Sequence, residues 1–443
     1  MAAGYFHRGM TDAVATCEMF VRRLPRRRRY LVAMGVERVL RYLEELRLTD
    51  EQVAYLTSVP ALRDAMTPEL VRYLKDLRFT GDVWAAPEGT AVFAGEPLYR
   101  VRAPLVEAQL IETFLLSAVN HATLVASKAA RVVTACGPAA AMEFGTRRTH
   151  YDAAVDAARA AYAVGFAGTS NVEAGMRFGI PILGTAAHMW TMAHPSEEAA
   201  FEGYVATFPN ASILLIDTYD TLRGAARAAD IAREKLKGVR LDSGDLLALS
   251  QAVRKILDEH GCQHAQIVAS GDLNEHRIAE LRAAGAPIDT YGVGTDLVTS
   301  LDAPALGGVY KLVELERGGE RTPIAKFSEG KGTLPGPHQI YRHRDAKGTL
   351  ERDVIALEDE RPEDVGGGEP LLVQVMKNGR RMEPAESLAR IRERSRAELA
   401  SLSSDLLSLA EPTPAWKGFV PELSPRLAGL IDEVRARVQG EHH

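Results

Sequence analysis

The chain has 443 residues, of which 46% are hydrophobic, and its formal net charge at pH 7 is −6. This length and apolar content suffice for two or three domains with a substantial core, and the acidic balance disfavours a general nucleic-acid binder, which needs a basic surface. No apolar run approaches the roughly 20 residues of a membrane-spanning helix, and the N-terminus lacks the layout of a secretory signal. We therefore expect a cytoplasmic protein without a membrane or nucleic-acid partner.

Two local features, the three cysteines and a run of arginines, have simple structural interpretations. Cys17, Cys136 and Cys262 form no CxxC pair, which argues against a disulfide framework or a zinc site. The basic run RRLPRRRR at 22–29 could attract polyanions, but a single run of this kind favours a solvated turn.

Helix signals dominate residues 30–78 of the chain. Thr49 with Gln52 three residues later resembles a capping box, and Thr67 followed by Pro68 places proline at the first helical position. These patterns predict helices that begin just after each threonine.

Strand-like segments flank the middle of the chain. Residues 82–104 show short apolar runs broken by Pro and Gly, which is typical of antiparallel strands, and residues 106–135 return to a helical pattern. After Gly308 the segments GGVYKLVELE, PIAKFSE and HQIYRHRD are again strand-like, and we expect them to pair with the sheet at 82–104 in a split domain. The tail is predicted to be helical at 383–410 and 424–438.

Seven apolar stretches between residues 142 and 295 each run into a loop rich in Gly, Asp, Ser or Thr and then into a helix-like segment. Their spacing suits βα units and predicts an α/β barrel whose loops share one pocket at the carboxyl ends of the strands. The expected domains are 1–135, the barrel at 136–305, a β-rich part at 306–375 and a helical tail at 376–443. The junctions are EFGTRR (143–148), AGTSN (167–171), LGTAAH (183–188), IDTYD (216–220), RLDSGD (240–245), ASGD (269–272) and GVGT (292–295).

The RLDSGD junction groups Arg240, Asp242 and Asp245 around a Ser-Gly turn. Two acidic groups at one strand end can bind ribose hydroxyls or hold Mg²⁺ through water, and a cation beside them suits a charged ligand. The other interpretation is a helix N-cap formed by Ser243 or Asp242.

The last two junctions have the glycines of a phosphate-binding loop. Loops after late barrel strands, followed by helix N-termini, commonly bind phosphate through backbone N–H groups, although ordinary tight turns also explain such glycines. The candidates are Ser270, Gly271, Gly292, Gly294 and Thr295.

His188 closes the third junction after a run of small residues. An imidazole there can be a general base, a hydrogen-bond donor or a nucleophile toward phosphorus, whereas a lone histidine is more often structural. Arg147 or Arg148 could form paired hydrogen bonds to a carboxylate or phosphate. Tyr219 either stacks on a ligand ring or only packs against the protein. Thr169 and Ser170, in the second junction, complete the candidates for substrate contact.

Taken in order, these junctions closely resemble the nicotinate phosphoribosyltransferase family, together with YFHRGM and FVRRLP near the start and GVYKLVE and KxSxGKxTxPGxxQxYR after the barrel. The likeness spans nearly the whole chain. It implies an α/β fold in which an irregular TIM-like α/β barrel accompanies a split α+β sandwich-like domain formed by N-terminal and post-barrel segments. It also implies a homodimer with active sites near the subunit interface.

The resemblance implies that nicotinate attacks C1 of phosphoribosyl pyrophosphate, giving nicotinate mononucleotide and pyrophosphate in NAD salvage, with Mg²⁺ and coupled ATP hydrolysis. His188 corresponds to the histidine that ATP phosphorylates, and Asp242 to an acidic residue near the ribose and Mg²⁺. Arg147 and Arg240 fall on positions associated with the nicotinate carboxylate and the pyrophosphate. The loops that hold the 5-phosphate correspond to Gly271, Gly292, Gly294 and Thr295.

Two departures from the family pattern stand out. Family members begin with a segment like TDLYxLTM, whose tyrosine packs on the nicotinate ring, whereas this chain begins MAAGYFHRGM. We therefore expect the stacking tyrosine to be absent, through a misassigned start codon or a truncation. In addition, Met189 follows His188 where several relatives have serine.

Three functions remain open from the sequence. The residues of the GTAAH and EFGTRR motifs favour nicotinate as the substrate. The alternatives are transfer to nicotinamide or quinolinate, and a catalytically impaired phosphosugar-binding homologue that kept the barrel loops.

Overall fold

A computed structural model describes residues 1–440 and divides them into two compact units. The parallel-sheet unit comprises residues 124–304, and the antiparallel-sheet unit comprises residues 1–123 together with the chain from 305 onward. No helix within residues 1–440 is long and apolar enough to cross a membrane. The three cysteines are buried and free, as the sequence predicts.

Helices occur along the whole described chain. In order, the α-helices are α1 (Ala2–His7), α2 (Val36–Glu45), α3 (Asp50–Ser58), α4 (Pro68–Asp76), α5 (Leu105–Leu110), α6 (Glu112–Cys136), α7 (Tyr151–Val164), α8 (Val172–Phe178), α9 (His188–Met192), α10 (Glu197–Thr207), α11 (Thr221–Ala232), α12 (Leu246–Glu259), α13 (Glu275–Ala283), α14 (Thr295–Val298), α15 (Leu388–Ser401) and α16 (Pro425–Gly440).

Strands alternate with these helices. In order they are β1 (Val14–Val21), β2 (Leu31–Val32), β3 (Asp82–Ala85), β4 (Ala91–Val92), β5 (Pro97–Pro104), β6 (Ala140–Glu143), β7 (Gly168–Thr169), β8 (Ile213–Leu215), β9 (Gly238–Leu241), β10 (Gln266–Ala269), β11 (Thr290–Val293), β12 (Gly308–Arg317), β13 (Glu320–Pro323), β14 (His338–Arg344), β15 (Leu350–Leu357), β16 (Glu369–Pro370), β17 (Val373–Lys377), β18 (Arg380–Arg381) and β19 (Glu422–Leu423).

The helix start signals in the sequence are confirmed. Thr49 and Gln52 form a reciprocal capping box at α3, and the Thr67 hydroxyl caps α4, whose first residue is Pro68. Each cap satisfies backbone N–H groups that have no partner within the helix. The local sequence therefore defines where these helices begin.

The parallel-sheet unit is built on a curled sheet of six parallel strands in the order β7-β6-β11-β10-β9-β8. The strands are short and largely apolar, as expected where helices cover a parallel sheet. Helix α12 buries Leu246, Val253 and Leu257 along one face, which is the 3.6-residue spacing of an amphipathic helix. The predicted α/β class is confirmed, whereas closure into a TIM-like barrel remains a prediction.

The third predicted strand, before LGTAAH, is wrong. Residues 183–188 form no strand, and the segment makes only an isolated bridge between Thr169 and Ile182. Pro181 lacks an N–H for a sheet ladder, and Gly184 offers no side chain to pack, so the sequence interrupts its own strand pattern here. The segment instead leads directly into α9.

In the antiparallel-sheet unit, strands from both ends of the chain share one seven-stranded sheet, in the order β13-β12-β1-β5-β3-β17-β18. The predicted pairing with the sheet at 82–104 is confirmed for GGVYKLVELE, which forms β12 and reaches β5 through β1. It is wrong for HQIYRHRD, which forms β14 and pairs instead with β15, the next strand of its hairpin. The strand that pairs with β3 is β17, which the sequence patterns did not predict. The sequence patterns also missed β1, and the strand predicted at PIAKFSE (323–329) is wrong, because β13 ends at Pro323 and the following residues form no strand. A second sheet has the order β16-β14-β15-β19.

The basic run at 22–29 is not simply a solvated turn. Arg28 and Arg29 are buried, and Arg29 donates to Asp405 at 2.5 Å and lies over the ring of Trp416. Arg26, which is exposed, pairs with Glu411. Part of the run therefore holds the segment that follows α15.

Candidate active site

The carboxyl ends of the six parallel strands form one edge of the sheet, where ligands bind in open α/β folds. The loops at this edge are short and polar, and they carry the residues singled out from the sequence. The strand-end residues, in sheet order, are Thr169, Glu143, Val293, Ala269, Leu241 and Leu215.

Arg240 is the centre of a hydrogen-bond network at this edge. Its Nε donates to Ser270 Oγ at 2.7 Å, and its terminal nitrogens donate to Thr185 Oγ1 at 2.9 Å and Asp242 Oδ1 at 2.7 Å. Its guanidinium carbon lies 5.5 Å from the centre of the Phe144 ring. Because the planar fork is held on several sides, the guanidinium has a fixed orientation.

Asp242 is kept ionised by its neighbours. Burial raises the pKa of its carboxyl, but the hydrogen bond from Ser270 and the positive charge of Arg240 outweigh burial, so the pKa lies below its usual value. Oδ1 accepts from both Ser270 and Arg240. Oδ2 lies 3.8 Å from His188 Nε2. The group is therefore a fixed negative charge at neutral pH.

His188 begins α9 and is partly open to solvent, with 42% of its side chain exposed. Its Nδ1 lies 3.2 Å from Thr218 Oγ1, while Nε2 faces Asp217 at 3.9 Å and Asp242 at 3.8 Å. The hydroxyl thus orients the ring, and Nε2 is directed toward two carboxylates.

Asp217, the second residue of the IDTYD junction, is a site residue that the sequence analysis did not identify. Its side chain is 1% exposed, and Oδ2 accepts from the Asp242 backbone N–H at 3.0 Å and the Ser243 hydroxyl at 2.6 Å. Within residues 1–440, Oδ1 accepts no hydrogen bond. The sequence did contain a signal for this residue, because Asp217 follows the end of β8 closely, as Asp242 follows the end of β9.

Glu143 is a second buried acid beneath the pocket. It accepts from the backbone N–H of Gly145 and from the hydroxyl of Thr169. Burial raises the pKa of the Glu143 carboxyl even though both hydrogen bonds lower it. Thr169, a predicted substrate contact, is itself buried and also accepts from the Asn171 N–H. Its hydroxyl therefore ties the first two junctions together.

The glycines of the last two junctions permit close backbone packing. Gly271 has a φ of 93°, and a Cβ there would collide with the backbone oxygen of Asp242. A Cβ on Gly292 would collide with the Phe144 ring, and Gly294 lies against the Phe144 backbone before Thr295 opens α14. Only glycine fits at the first position without strain.

The remaining predicted contacts lie on the outer part of the loops. Arg147, Ser170 and Tyr219 are exposed, the last with 66% of its surface accessible. Asp245 is also exposed and is the N-cap of α12, accepting from the N–H groups of Leu247 and Ala248. One interpretation of this turn predicts a cap formed by Ser243 or Asp242, whereas the cap is Asp245.

The pocket combines fixed charges of both signs. Arg240 pairs with Asp242, and Nε2 of His188 lies 3.8 Å from Asp242 and 3.9 Å from Asp217. Within residues 1–440, no group of three or more His, Cys, Asp or Glu side chains could hold a metal ion by itself. The arrangement suits a ligand that is itself charged and brings its own oxygen atoms.

Sequence models of one family match most of the chain. The model described as the nicotinate phosphoribosyltransferase (NAPRTase) family matches residues 139–330, and models of its N-terminal and C-terminal domains match residues 1–120 and 367–415. A nicotinate phosphoribosyltransferase of Mycobacterium tuberculosis is 42% identical over 100% of this chain and 93% of that protein. That of Bacillus subtilis is 46% identical over 82% of this chain and 75% of that protein.

Solved structures show the same likeness. The crystal structure of human nicotinic acid phosphoribosyltransferase matches with a TM-score of 0.83 and 30% identity, covering 98% of both chains. Nicotinate-nucleotide pyrophosphorylase from Pyrococcus furiosus shares the fold, with a TM-score of 0.72 at 24% identity.

Proposed function

This chain belongs to the nicotinate phosphoribosyltransferase family, and on that basis we propose that it transfers the phosphoribosyl group of phosphoribosyl pyrophosphate to nicotinate. The products are nicotinate mononucleotide and pyrophosphate, as needed in NAD salvage. The observation that carries the proposal is Arg240 held between Asp242 and Ser270 at the carboxyl edge of the sheet, with His188 adjacent.

The substrates demand local positive charge from a protein whose net charge is −6. Arg240 supplies a guanidinium that is held in place and still accessible, with 15% of its side chain exposed. The exposed Arg147 and Arg148 can meet a carboxylate at the rim. Because Asp242 holds Arg240 in place before any ligand arrives, little reorganisation is needed when pyrophosphate binds.

The bond changes in this reaction require little general acid or base catalysis. The pyridine nitrogen of nicotinate forms a bond to C1 of the ribose as the bond from C1 to the pyrophosphate oxygen breaks, so no proton has to be moved. Positive charge develops on the ribose in an oxocarbenium-like state. The ionised Asp242 can stabilise that charge, and positioning supplies most of the remaining acceleration.

We propose that His188 couples ATP hydrolysis to transfer, a ligase-type reaction. The γ-phosphoryl group of ATP moves to an imidazole nitrogen with departure of ADP, and water later releases phosphate from the histidine. Nε2 suits this role because Thr218 holds Nδ1 and the ring is partly exposed. A neutral imidazole nitrogen is a competent nucleophile toward phosphorus.

The carboxylates also fit Mg²⁺. This ion keeps several waters and is usually bound through one or two carboxylates together with substrate phosphates. Asp242 Oδ2 and the unpartnered Asp217 Oδ1 are the oxygens that would hold it. When bound, the ion would neutralise charge on the pyrophosphate leaving group.

The test of this function is selectivity among three pyridines. Purified protein is supplied with phosphoribosyl pyrophosphate, Mg²⁺ and nicotinate, nicotinamide or quinolinate, each with and without ATP, and mononucleotides are separated by chromatography. We expect product from nicotinate, with ATP increasing its yield. Product only from nicotinamide or quinolinate would overturn the substrate assignment, and binding of phosphoribosyl pyrophosphate without turnover would favour the impaired homologue.

A further inference from the structure

A buried ammonium group lies among carboxylates from three segments of the parallel-sheet unit. Lys128, on α6, has 1% of its side chain exposed. Its Nζ lies 2.6 Å from Glu275 Oε2, 3.1 Å from Asp296 Oδ1 and 3.0 Å from Asp302 Oδ1. None of these residues takes part in the proposed chemistry, so the cluster needs its own explanation.

The first two of these acids belong to the loops that follow adjacent strands. Glu275 is the first residue of α13, directly after the loop at 270–274 that follows β10. Asp296 is the second residue of α14 and follows Thr295, at the end of the loop after β11. One lysine therefore holds the far ends of both loops in which we expect the 5-phosphate to bind.

Burial of this cluster is costly for a purely structural element. A well-packed apolar group of similar size often serves stability equally well, whereas a buried charge must be paired to be tolerated. Glu275 is completely buried and also accepts from Arg131 Nε at 3.0 Å. Burial raises the pKa of Glu275, but the charges of Lys128 and Arg131 outweigh it and hold the pKa below its usual value. Glu275 therefore stays ionised and holds Lys128 and Arg131 in place.

We propose that Lys128 is a positioning residue for the 5-phosphate of phosphoribosyl pyrophosphate. By pairing with Glu275 and Asp296 together, it fixes the spacing between the loop at 270–274 and the Gly294–Thr295 turn. It also neutralises carboxylate charge that would otherwise repel a phosphate bound to these loops. Lys128 itself does not touch the substrate, and the inference rests on the proposed function.

Asp296 and Asp302 provide a matched pair for the test. Both lie about equally far from Lys128 Nζ, at 3.1 and 3.0 Å, and their side chains are 16% and 12% exposed. Asp296 adjoins the phosphate loop, whereas Asp302 lies beyond α14. Asp296→Asn and Asp302→Asn each remove one charge with little change of shape, so that they differ chiefly in which segment is released.

The readouts are the Kd for ribose 5-phosphate by calorimetry, the KM values for phosphoribosyl pyrophosphate and nicotinate, and the Tm. We expect both variants to lower the Tm. Asp296→Asn should weaken ribose 5-phosphate binding and raise the KM for phosphoribosyl pyrophosphate about tenfold, as expected for a displaced binding group, with little change in the KM for nicotinate. Asp302→Asn should leave all three constants near the wild-type values. Lys128→Arg should be less impaired than Lys128→Met, which we expect to behave like Asp296→Asn.

Three outcomes would overturn the inference: equal weakening of ribose 5-phosphate binding by both aspartate variants, a lower Tm in Asp296→Asn without weaker binding, and failure of the wild-type protein to bind ribose 5-phosphate. Failure of the proposed function looks different. In that case the wild-type protein would form no mononucleotide, while the contrast between Asp296→Asn and Asp302→Asn in ribose 5-phosphate binding would persist.

Discussion

Nε2 of His188 lies 3.9 Å from Oδ1 of Asp217, a buried carboxylate oxygen that accepts no hydrogen bond within residues 1–440. The other oxygen of Asp217 is held by the Asp242 backbone and the Ser243 hydroxyl. The carboxylate is therefore fixed with one oxygen turned toward the ring. This arrangement keeps one carboxylate oxygen of Asp217 facing Nε2 of the imidazole.

Replacing His188 with alanine should separate the two reactions of the enzyme. His188→Ala should abolish the stimulation of transfer by ATP and reduce basal transfer much less, because in the proposed mechanism the histidine receives the phosphoryl group and does not touch C1 of the ribose. The measurement is the initial rate of mononucleotide formation with and without ATP. His194→Ala is the control, since that ring contacts Trp190 instead of the pocket. Equal loss of stimulated and basal rates in His188→Ala would show that the histidine acts otherwise.

Arg240→Lys should be strongly impaired although the charge is kept. Lysine cannot make the simultaneous contacts to Ser270, Thr185 and Asp242, so we expect a loss in kcat/KM of about 100-fold, or about 2.7 kcal/mol. Arg254→Lys is a matched control on α12, because Arg254 also makes several hydrogen bonds, to Asp258 and backbone carbonyls, but lies away from the pocket. Comparable losses in both variants would argue against a special role for Arg240.

Gly271→Ala should disturb the pocket because a methyl group there would collide with the Asp242 backbone oxygen. Gly285 provides the control, since its φ of 76° is also left-handed but no atom lies within 4 Å of the site where its Cβ would be. Both variants carry the backbone cost of a side chain at positive φ, about 1 kcal/mol. We expect only Gly271→Ala to lose most of its transfer activity at a temperature where both are folded, and retained activity would contradict this account.

Two substitutions of Asp245 separate its cap from its charge. Asp245→Ala removes the hydrogen bonds to the Leu247 and Ala248 N–H groups and should cost about 1 kcal/mol of unfolding free energy, whereas Asp245→Asn keeps a good cap. Denaturant titration measures both. If Asp245 also binds ribose through its charge, Asp245→Asn will raise the KM for phosphoribosyl pyrophosphate at normal stability. An unchanged KM would leave the carboxylate with the capping role alone.

The raised pKa of Glu143 should make the stability of the protein depend on pH. Burial raises the pKa of the Glu143 carboxyl above the usual 4.5. Its stabilising contribution to the free energy of unfolding is therefore complete below about pH 4.5 and is lost as the pH rises through the pKa of the folded state. Glu143→Gln mimics the neutral form at every pH. The Tm of wild type minus that of Glu143→Gln should therefore fall as the pH rises above about 4.5, and a constant difference would show that Glu143 does not titrate in this way.

Local signals predicted the parts of the fold that depend on local chemistry. The Thr49 box and Pro68 at α4 were readable because a cap needs particular residues at fixed spacing. Strand β1 was missed because its pairing partners lie in β5 and β12, far away in sequence. The apolar run before His188 predicts a strand, but Pro181 cannot donate to a sheet ladder and the segment forms only an isolated bridge.

The candidate site was predictable to a similar extent. Arg240, Asp242 and Ser270 stand at strand ends whose order along the chain placed them at one edge, and the structure brings them into contact. Asp217 and the buried Lys128 were not identified. Their roles depend on which segments lie against them in three dimensions, and a single charged residue in a helix or loop carries no sign of this in sequence.

The measurement that tests the central claim most directly follows both products in one reaction. Purified wild-type protein is incubated with labelled nicotinate, phosphoribosyl pyrophosphate, Mg²⁺ and ATP, and nicotinate mononucleotide and pyrophosphate are quantified over time, with Asp242→Asn as the comparison. We predict equal amounts of the two products from wild type and a severe loss of both in Asp242→Asn. Absence of nicotinate mononucleotide from the wild-type reaction at every ATP concentration would contradict the account.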